Sequence, residues 1–300
     1  MSSTDSGYRG RFAPSPTGPL HFGSLCTAVA SFLQARAHAG KWLIRIDDLD
    51  PTRCKPQYSN HILKTLEQFG LVWDEEVFYQ SSRHAAYRSA LAELEQRHYL
   101  YPCSCSRKDL QLRRLDKGIY DQHCLRHAPG SEQPTSLRIK LPTESISFTD
   151  GVQGVVQQDL KNQVGDFVLF RKDQVASYHL AVVLDDAEQR ISDVLRGHDL
   201  LDSTYRQIFL QRILHLKTPN YAHIPVVIDA EGSKLSKQSY ATDVSLSPVR
   251  ETLVSALAHL NLDPPTDLSA SDVDDILRWG IENWSMDKIK RQDSVLFHAH

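Results

Sequence analysis

The sequence predicts an α/β protein built on a parallel sheet, with an insertion in the middle and a helical C-terminal region. Three observations support this prediction. Strand-like apolar segments alternate with helix-length segments over residues 1–100 and again over 166–240, whereas cysteines and short strands replace long helices over 101–165. Residues 241–300 have a helical pattern. Strands that alternate with helices of this length form parallel sheets with crossover helices, and these four ranges are the predicted domains.

The first predicted element is a short strand, Arg9 to Ala13, which leads into a loop rich in proline and glycine. A helix begins near Phe22 and ends at Gly40. A compact apolar strand, Trp42 to Ile46, follows and runs into an acidic turn. Two further helices are predicted at about residues 57–69 and 83–97.

The insertion contains short strands such as Leu137 to Leu141. Strand–helix alternation then resumes in segments at residues 167–170, 178–184, 191–195, 203–214 and 225–228. The C-terminal region contains two predicted helices, at about residues 248–260 and 271–284.

Composition excludes several classes of protein. The chain has 300 residues, is 41% hydrophobic and carries a net charge of −3, as expected of a globular protein without a strong overall attraction to nucleic acid. No apolar run reaches about 18 residues and the N-terminus lacks a signal-peptide pattern, so we expect a cytoplasmic protein without a membrane span. Five cysteines, an odd number, argue against a disulfide framework.

Two motifs far apart in the chain carry the chemistry. Residues 14–18 read PSPTG and are followed by HFG at 21–23, and KLSKQ occupies residues 234–238. A loop that leads into a helix N-terminus presents free N–H groups to phosphate oxygens, and lysines add positive charge. In this order the motifs resemble the two ATP-binding signatures of class I aminoacyl-tRNA synthetases of the glutamate type. The resemblance covers about residues 9–238 and implies a Rossmann-like catalytic domain.

The resemblance implies roles for the motif residues. His21 and Gly23 bind ATP, and His21 stabilises the phosphate in the transition state. Lys237 holds the β- and γ-phosphates as pyrophosphate leaves, and Lys234 assists it. Ser24 stands where many class I enzymes have a second histidine, which glutamate-type enzymes commonly lack as well. Mg²⁺ is expected to accompany ATP.

Two arginines are candidates for binding a carboxylate substrate, because a guanidinium group can bond both carboxylate oxygens. Arg11 precedes the phosphate loop, and Arg196 ends a later strand, where ligands of α/β sheets bind. The resemblance implies that both surround L-glutamate, together with three further residues: Ser15, Asp47 and Tyr178. Asp47 matches a family position that is mostly glutamate and that meets the α-amino group. Because aspartate is one methylene shorter, this contact uses a bridging water or is shared with Asp48.

Three cysteines cluster in the insertion: Cys103, Cys105 and Cys124. Three thiolates within 22 residues suit tetrahedral zinc. From chemistry alone the fourth ligand is open, since His123 and His127 are better intrinsic ligands than Tyr120. The family has a tyrosine four residues before the last cysteine, which implies Tyr120. A zinc ion with four protein ligands is structural, and it would fold an insertion that has little core of its own.

The length of the C-terminal region bears on the RNA acceptor. Only 63 residues follow Lys237, so an anticodon-binding domain is not expected. The chain resembles the short members of the family. That resemblance implies ATP-dependent, tRNA-independent activation of L-glutamate to glutamyl-adenylate, followed by transfer to the queuosine base in the anticodon loop of tRNA(Asp). We also expect a monomer without an obligate protein partner.

Three alternatives remain open from the sequence. A truncated glutamyl-tRNA synthetase would charge the 3′ end of tRNA(Glu) and would need tRNA for activation. A non-catalytic RNA-binding paralogue is the second, although it would not need the histidine and both lysines of the two motifs. A non-tRNA adenylate-forming ligase would use Arg11, Tyr178 and Arg196 for another carboxylic acid.

Overall fold

Strands and helices alternate through the first hundred residues in the predicted order. The computed structural model describes residues 7–113, 119–229 and 243–296, so the KLSKQ motif lies outside the described residues. The elements of this part are β1 (Arg9–Phe12), α1 (Phe22–Ala37), β2 (Lys41–Ile46), α2 (Pro56–Gln68), β3 (Phe78–Tyr79) and α3 (His84–Gln96). Both ends of α2 and of α3 fall within one residue of their predicted positions.

A close approach of two backbone segments ends α1 and starts β2. Ala39 has a left-handed φ of 49°, and a Cβ atom on Gly40 would lie 2.6 Å from the carbonyl oxygen of Tyr8. Only glycine fits a contact this short. The Lys41 N–H group then donates to the Tyr8 carbonyl at 3.0 Å, which sets β2 beside β1 in parallel register.

Antiparallel strands make up most of the middle of the chain. Its elements are β4 (Leu100–Cys103), α4 (Arg107–Leu112), α5 (His123–Arg126), β5 (Ser136–Ile139), β6 (Ser145–Asp150), β7 (Gly154–Asp159) and β8 (Phe167–Phe170). Strand β5 pairs with both β4 and β8, and β6 pairs with β7 in a hairpin. The sequence analysis placed β8 after the insertion, but β8 shares an antiparallel sheet with strands inside it. The limits of the insertion at 101 and 165 stay a prediction.

Parallel strands return in the second half of the chain. Its elements are α6 (Tyr178–Glu188), β9 (Asp193–Gly197), α7 (Leu201–Ile213), β10 (Asn220–Ile224), β11 (Val226–Ile228), α8 (Val249–His259), α9 (Val273–Asn283) and β12 (Ser294–Leu296). Strand β9 pairs with β10, and β11 with β12. The Ser192 N–H group donates to the Arg9 carbonyl at 3.0 Å, which joins β9 to β1. The carboxyl ends of β1, β2, β9 and β10 therefore lie along one edge of the sheet.

Two apolar clusters hold the helices against these strands. The first packs α1 between β1, β2 and the C-terminal helices α8 and α9, and the second joins α3, α6 and α7 to the antiparallel strands. Trp42 is fully buried in the first cluster and donates its indole N–H to Ser31 Oγ at 2.9 Å. Complete burial of one large apolar side chain stabilises a fold by roughly 1.5–3 kcal/mol. The part of the chain that the structure describes contains no helix with the length and apolar character needed to cross a bilayer.

Candidate active site

A cavity of about 200 Å³ opens at the carboxyl edge of the parallel strands. Its walls come from the ends of β1, β2 and β9, from the N-terminus of α1 and from β11. Seven residues that the sequence analysis selected line it: Arg11, Ser15, His21, Gly23, Asp47, Tyr178 and Arg196. The structure thus brings the expected phosphate-binding and glutamate-binding groups to one place. Lys234 and Lys237 lie outside the described residues.

His21 caps the N-terminus of α1 at the cavity. Its Nδ1 accepts the Ser24 N–H group at 3.2 Å. Because Nδ1 is an acceptor, the proton of the neutral ring is on Nε2, which then donates to Ser24 Oγ at 2.9 Å. A Cβ atom on Gly23 would lie 3.3 Å from His21 Nδ1, so a side chain there would press on the ring. Ser24, which replaces a second histidine, therefore orients His21.

The loop before α1 is tied to the loop after β2. The Asp47 N–H group donates to the Pro14 carbonyl, and the Lys55 N–H group donates to the Pro16 carbonyl, both at 3.0 Å. Three prolines restrict the backbone of this segment further. These contacts within the chain hold the start of α1 beside the cavity.

Arg196 brings a buried positive charge to the cavity. Its side chain is only 4% exposed. Its Nε donates to His223 Nε2 at 3.0 Å, and its Nη2 donates to Thr204 Oγ1 and Gln207 Oε1, both at 2.8 Å. Among the described residues, its Nη1 contacts only the hydroxyl group of Tyr178, at a long distance of 3.5 Å. Within the described residues no carboxylate forms an ion pair with Arg196. A buried cation with neutral partners is stabilised by an anionic ligand.

Arg11 differs from Arg196 because its charge is already compensated. Arg11 Nε donates to Asp186 at 3.0 Å, and Arg45 bridges Asp186 at 2.5 Å and Asp47 at 2.7 Å. Two arginines and two carboxylates form this buried network, which we call the charge quartet, and their formal charges sum to zero. Arg11 therefore offers the cavity hydrogen-bond donors without an excess charge.

Asp47 has one oxygen engaged and one available. Arg45 binds its Oδ1, and no described residue donates to its Oδ2. Burial raises the pKa of Asp47 to about 6, although Arg45 opposes this shift. Asp48 does not share the position: its carboxylate accepts the N–H and Oγ–H groups of Ser81 at 2.8 and 2.7 Å, and it does not line the cavity.

The sequence analysis missed several polar residues at or behind the cavity. Arg45 lines the cavity, is fully buried, and has no hydrogen-bond partner for its Nη2 within the described chain. Asp186 and His223 hold the two arginines of the predicted site. The available signal was a charged or polar residue inside an otherwise apolar strand or helix, such as Arg45 within Trp42 to Ile46.

The cysteine cluster lies at the end of β4, next to α5. The Sγ atoms of Cys103, Cys105 and Cys124 all lie within 4.8 Å of one another. The hydroxyl oxygen of Tyr120 is 3.4 Å from the sulfurs of Cys103 and of Cys105. Tetrahedral zinc with bonds of about 2.3 Å places its sulfur ligands about 3.8 Å apart, so these four side chains fit the ion.

Neither histidine that competed for the fourth position joins this cluster within the described chain. His123 and His127 stack on each other with ring centroids 4.8 Å apart. Two arginines contact the cluster instead: Arg138 Nε lies 3.2 Å from Cys103 Sγ, and Arg113 Nη2 lies 3.0 Å from Cys105 Sγ. These cations would offset the negative charge that thiolate ligands bring to a zinc ion at this position.

Replacing Cys103 with serine is expected to release zinc, because a neutral serine hydroxyl group binds zinc much more weakly than the thiolate it replaces, and the remaining donors do not close a structural site. The purified protein should hold about one zinc ion per chain before the substitution and lose most of it afterwards. Metal analysis after dialysis against a weak chelator measures this. Cys54→Ser is the matched control, since Cys54 lies outside the cluster. Equal zinc content in both variants would contradict the assignment.

The fold and the cavity define the class of protein: a class I tRNA synthetase catalytic domain. Residues 8–262 match the family described as tRNA synthetases class I (E and Q), catalytic domain. The structure matches a glutamate tRNA ligase from Elizabethkingia meningosepticum in complex with its amino acid, with a TM-score of 0.78 and 24% identity. That match covers 98% of this chain and 67% of the ligase, and it concerns the fold.

Relatives of similar length identify a narrower group within this family. A glutamyl-Q tRNA(Asp) synthetase from Neisseria meningitidis serogroup B is 48% identical over 95% of this chain and 98% of its own length. A glutamyl-Q tRNA(Asp) synthetase from Pseudomonas fluorescens is 44% identical over 98% of this chain and 97% of its own length. The chain therefore belongs to the class I tRNA synthetase family for E and Q, within the group of glutamyl-Q tRNA(Asp) synthetases.

Proposed function

We propose that this enzyme activates L-glutamate with ATP in the absence of tRNA and transfers the glutamyl group to the queuosine base of tRNA(Asp). One observation carries the proposal. A buried, uncompensated guanidinium group and the N-terminus of α1 meet in one cavity, so a carboxylate site lies beside a phosphate site. The names of the relatives support tRNA(Asp) as the acceptor.

The cavity residues suggest how glutamate binds. The Nη1 group of Arg196 and the hydroxyl group of Tyr178 bind the side-chain carboxylate, which compensates the buried charge. The free Oδ2 of Asp47 accepts the α-ammonium group. Arg11 and Ser15 complete the walls around the substrate. The position of Arg196 at the end of β9 fits the general rule that ligands bind beyond the carboxyl ends of parallel strands.

Activation then joins the two substrates. An oxygen of the glutamate α-carboxylate attacks the α-phosphorus of ATP. A bond forms between this oxygen and the α-phosphorus, and the bond between the α-phosphorus and the departing pyrophosphate breaks. The Nε2–H group of His21 donates a hydrogen bond to a phosphate oxygen that gains negative charge, in place of its hydrogen bond to Ser24 Oγ. The sequence motif assigns Lys234 and Lys237 to the departing pyrophosphate. Mg²⁺ bound to ATP neutralises phosphate charge.

Transfer follows from the mixed anhydride. A hydroxyl group of the cyclopentene diol of queuosine attacks the glutamyl carbonyl carbon, an ester bond forms, and AMP leaves as the hydroxyl proton is released. A base displaced from the anticodon loop is accessible to such a site, as is common in RNA recognition.

The preformed glutamate site supports activation without tRNA. Arg196, Asp47 and Arg11 are already held by internal partners in the chain alone, so no RNA contact is needed to place them.

Transfer of labelled glutamate tests the proposal. The full chain, ATP and Mg²⁺ are incubated with tRNA(Asp) with and without queuosine and with tRNA(Glu), and the label is located after ribonuclease digestion. We expect label only in the anticodon-loop fragment of queuosine-bearing tRNA(Asp). Label at the 3′ end of tRNA(Glu) would overturn the acceptor. Absence of glutamate-dependent pyrophosphate exchange without tRNA would overturn the activation step.

The pKa of Asp47 predicts a pH dependence. Only ionised Asp47 can bind the α-ammonium group, and burial raises its pKa to about 6. We therefore expect kcat/KM for glutamate to rise with pH through about 6 and then to level off, because kcat/KM reports the free enzyme. Pyrophosphate exchange across this range measures it. Asp47→Asn should lower kcat/KM and remove this step, and a profile with the same step in both proteins would contradict the assignment.

A further inference from the structure

His223 lies behind Arg196, outside the residues that line the cavity. The two residues are direct neighbours on the paired strands β9 and β10. His223 Nε2 is 3.0 Å from Arg196 Nε, and His223 Nδ1 is 2.5 Å from Asp150 Oδ2. The side chains of His223 and Asp150 are both fully buried. A continuous chain of hydrogen bonds therefore runs from Asp150 through His223 to the arginine of the glutamate site.

The partners of His223 fix its tautomer. An arginine Nε–H group can only donate, so His223 Nε2 must accept. The proton of the neutral ring is then on Nδ1 and is donated to Asp150. Burial lowers the pKa of His223 to about 4, which agrees with a neutral ring.

Asp150 is itself held in place by the backbone. Its Oδ1 accepts N–H groups from Val152, Gln153 and His223 at 3.0, 2.9 and 3.1 Å. Asp150 ends β6, and the next residue, Gly151, donates its N–H group to the Tyr221 carbonyl of β10 at 2.8 Å. The β6–β7 hairpin thus reaches the back of the amino-acid pocket.

We propose that Asp150 and His223 are positioning residues that select the glutamate side chain through Arg196. His223 engages Nε, while Thr204, Gln207 and the Leu200 carbonyl engage Nη2. Nη1, with its long contact to Tyr178, is therefore the group left for the substrate. Both N–H bonds of Nη1 need acceptor oxygens, which a carboxylate supplies. An amide supplies one oxygen and an opposing N–H₂ group, and it leaves the buried charge uncompensated. This inference rests on the proposed activation of glutamate.

Asp150→Asn tests the hydrogen-bond chain with little change in shape. The asparagine oxygen can still accept the three backbone N–H groups, but its N–H₂ group faces His223 Nδ1. The ring must then carry its proton on Nε2, where it opposes the Nε–H group of Arg196. In pyrophosphate exchange we expect KM for glutamate to rise about tenfold to a hundredfold, because hydrogen bonds to charged groups are strong. KM for ATP should stay within about twofold.

A pair of substitutions at His223 tests the same idea without Asp150. His223→Gln keeps an acceptor for Arg196 Nε and should raise KM for glutamate less than His223→Leu, which removes it. In the His223→Gln background, Asp150→Asn should add less than about a twofold further increase. Asp159→Asn, at the opposite end of the hairpin, is the control and should leave KM for glutamate unchanged.

Several results would overturn the proposal. In Asp150→Asn, these are an equal rise of KM for glutamate and for ATP, or a lower melting temperature with an unchanged KM for glutamate. The proposal would also be wrong if both His223 variants raised KM for glutamate equally. It would be wrong as well if Asp150→Asn raised KM for glutamate as much in the His223→Gln background as in the unsubstituted enzyme. Failure of the proposed function is distinguishable, because it would show in the unsubstituted enzyme as a lack of glutamate-dependent exchange.

Discussion

Replacing Arg196 with alanine is expected to reduce kcat/KM for glutamate in pyrophosphate exchange by about a hundredfold to a thousandfold, while KM for ATP changes little. Truncating one member of a buried charge pair removes roughly 2–5 kcal/mol of binding free energy, and each 1.4 kcal/mol is a factor of ten. The partners of Arg196 in the described part of the chain are neutral, so under the proposed function most of its electrostatic interaction goes to the substrate. Steady-state exchange with varied glutamate and ATP measures both constants.

Three comparisons separate this effect from a general loss of structure. Arg196→Lys keeps the charge but loses the planar group, and it should retain more activity than Arg196→Ala. Arg278→Ala removes an exposed arginine on α9 that pairs with Asp275 in the described chain, and it should leave kcat/KM unchanged. Arg196→Gln should lower the ratio of kcat/KM for glutamate to kcat/KM for glutamine. If Arg196→Ala kept the original kcat/KM for glutamate, the carboxylate site would have to lie elsewhere.

The sequence predicted the elements whose signals are local. Helix α2 begins with Pro56 at its first turn, and α1 ends where Gly40 meets the backbone of Tyr8. Strand β10 (Asn220–Ile224) and the β6–β7 hairpin were not predicted. Strand β10 carries the buried His223 among apolar residues, and polar residues make up most of β6 and β7, which weakens the apolar pattern in all three strands. Their pairing depends on partners that are distant in the sequence.

The site shows the same division between local and distant information. His21, Gly23 and the residues around them belong to one continuous motif, and the structure places them together. Arg45 and Asp186 are 141 residues apart, and Asp150 and His223 are 73 residues apart. A single sequence contains no record of such pairs. It shows only that polar residues interrupt apolar segments. The role of these residues follows from the contacts that they make in the folded chain.

Two charge arrangements therefore share one cavity. The charge quartet of Arg11, Arg45, Asp47 and Asp186 is neutral, and both its arginines lower the pKa of Asp186, although burial acts in the opposite direction. Arg196 remains without a counter-ion in the described chain. The quartet holds the walls of the cavity together, whereas in the proposed function Arg196 attracts the substrate carboxylate. The stability of the fold and the affinity for glutamate should consequently respond to different substitutions.

Replacing Arg45 with methionine is expected to lower the free energy of unfolding by about 3–5 kcal/mol at neutral pH. Arg45 is fully buried and bridges two carboxylates, so its removal leaves Asp47 and Asp186 with Arg11 as the only cation of the quartet. An uncompensated buried negative charge is strongly destabilising. Urea denaturation followed by circular dichroism measures the change. Arg9→Met, which breaks a partly exposed pair with Glu75, is the control and should stay within about 1 kcal/mol.

A charge-balancing variant and a change of pH test the cause. In the double variant with Arg45→Met and Asp186→Asn, the formal charges of the quartet again sum to zero, and part of the lost free energy of unfolding should be recovered. In the single variant the pKa of Asp47 rises further above its unfolded value. A group with a raised pKa in the folded state stabilises the fold at low pH and loses that contribution as pH rises through the folded pKa. The loss caused by Arg45→Met should therefore be smaller at about pH 5.5 than at about pH 7.5. A loss that is equal at both pH values and unaffected by Asp186→Asn would point to packing at Arg45, and the electrostatic account of the quartet would be wrong.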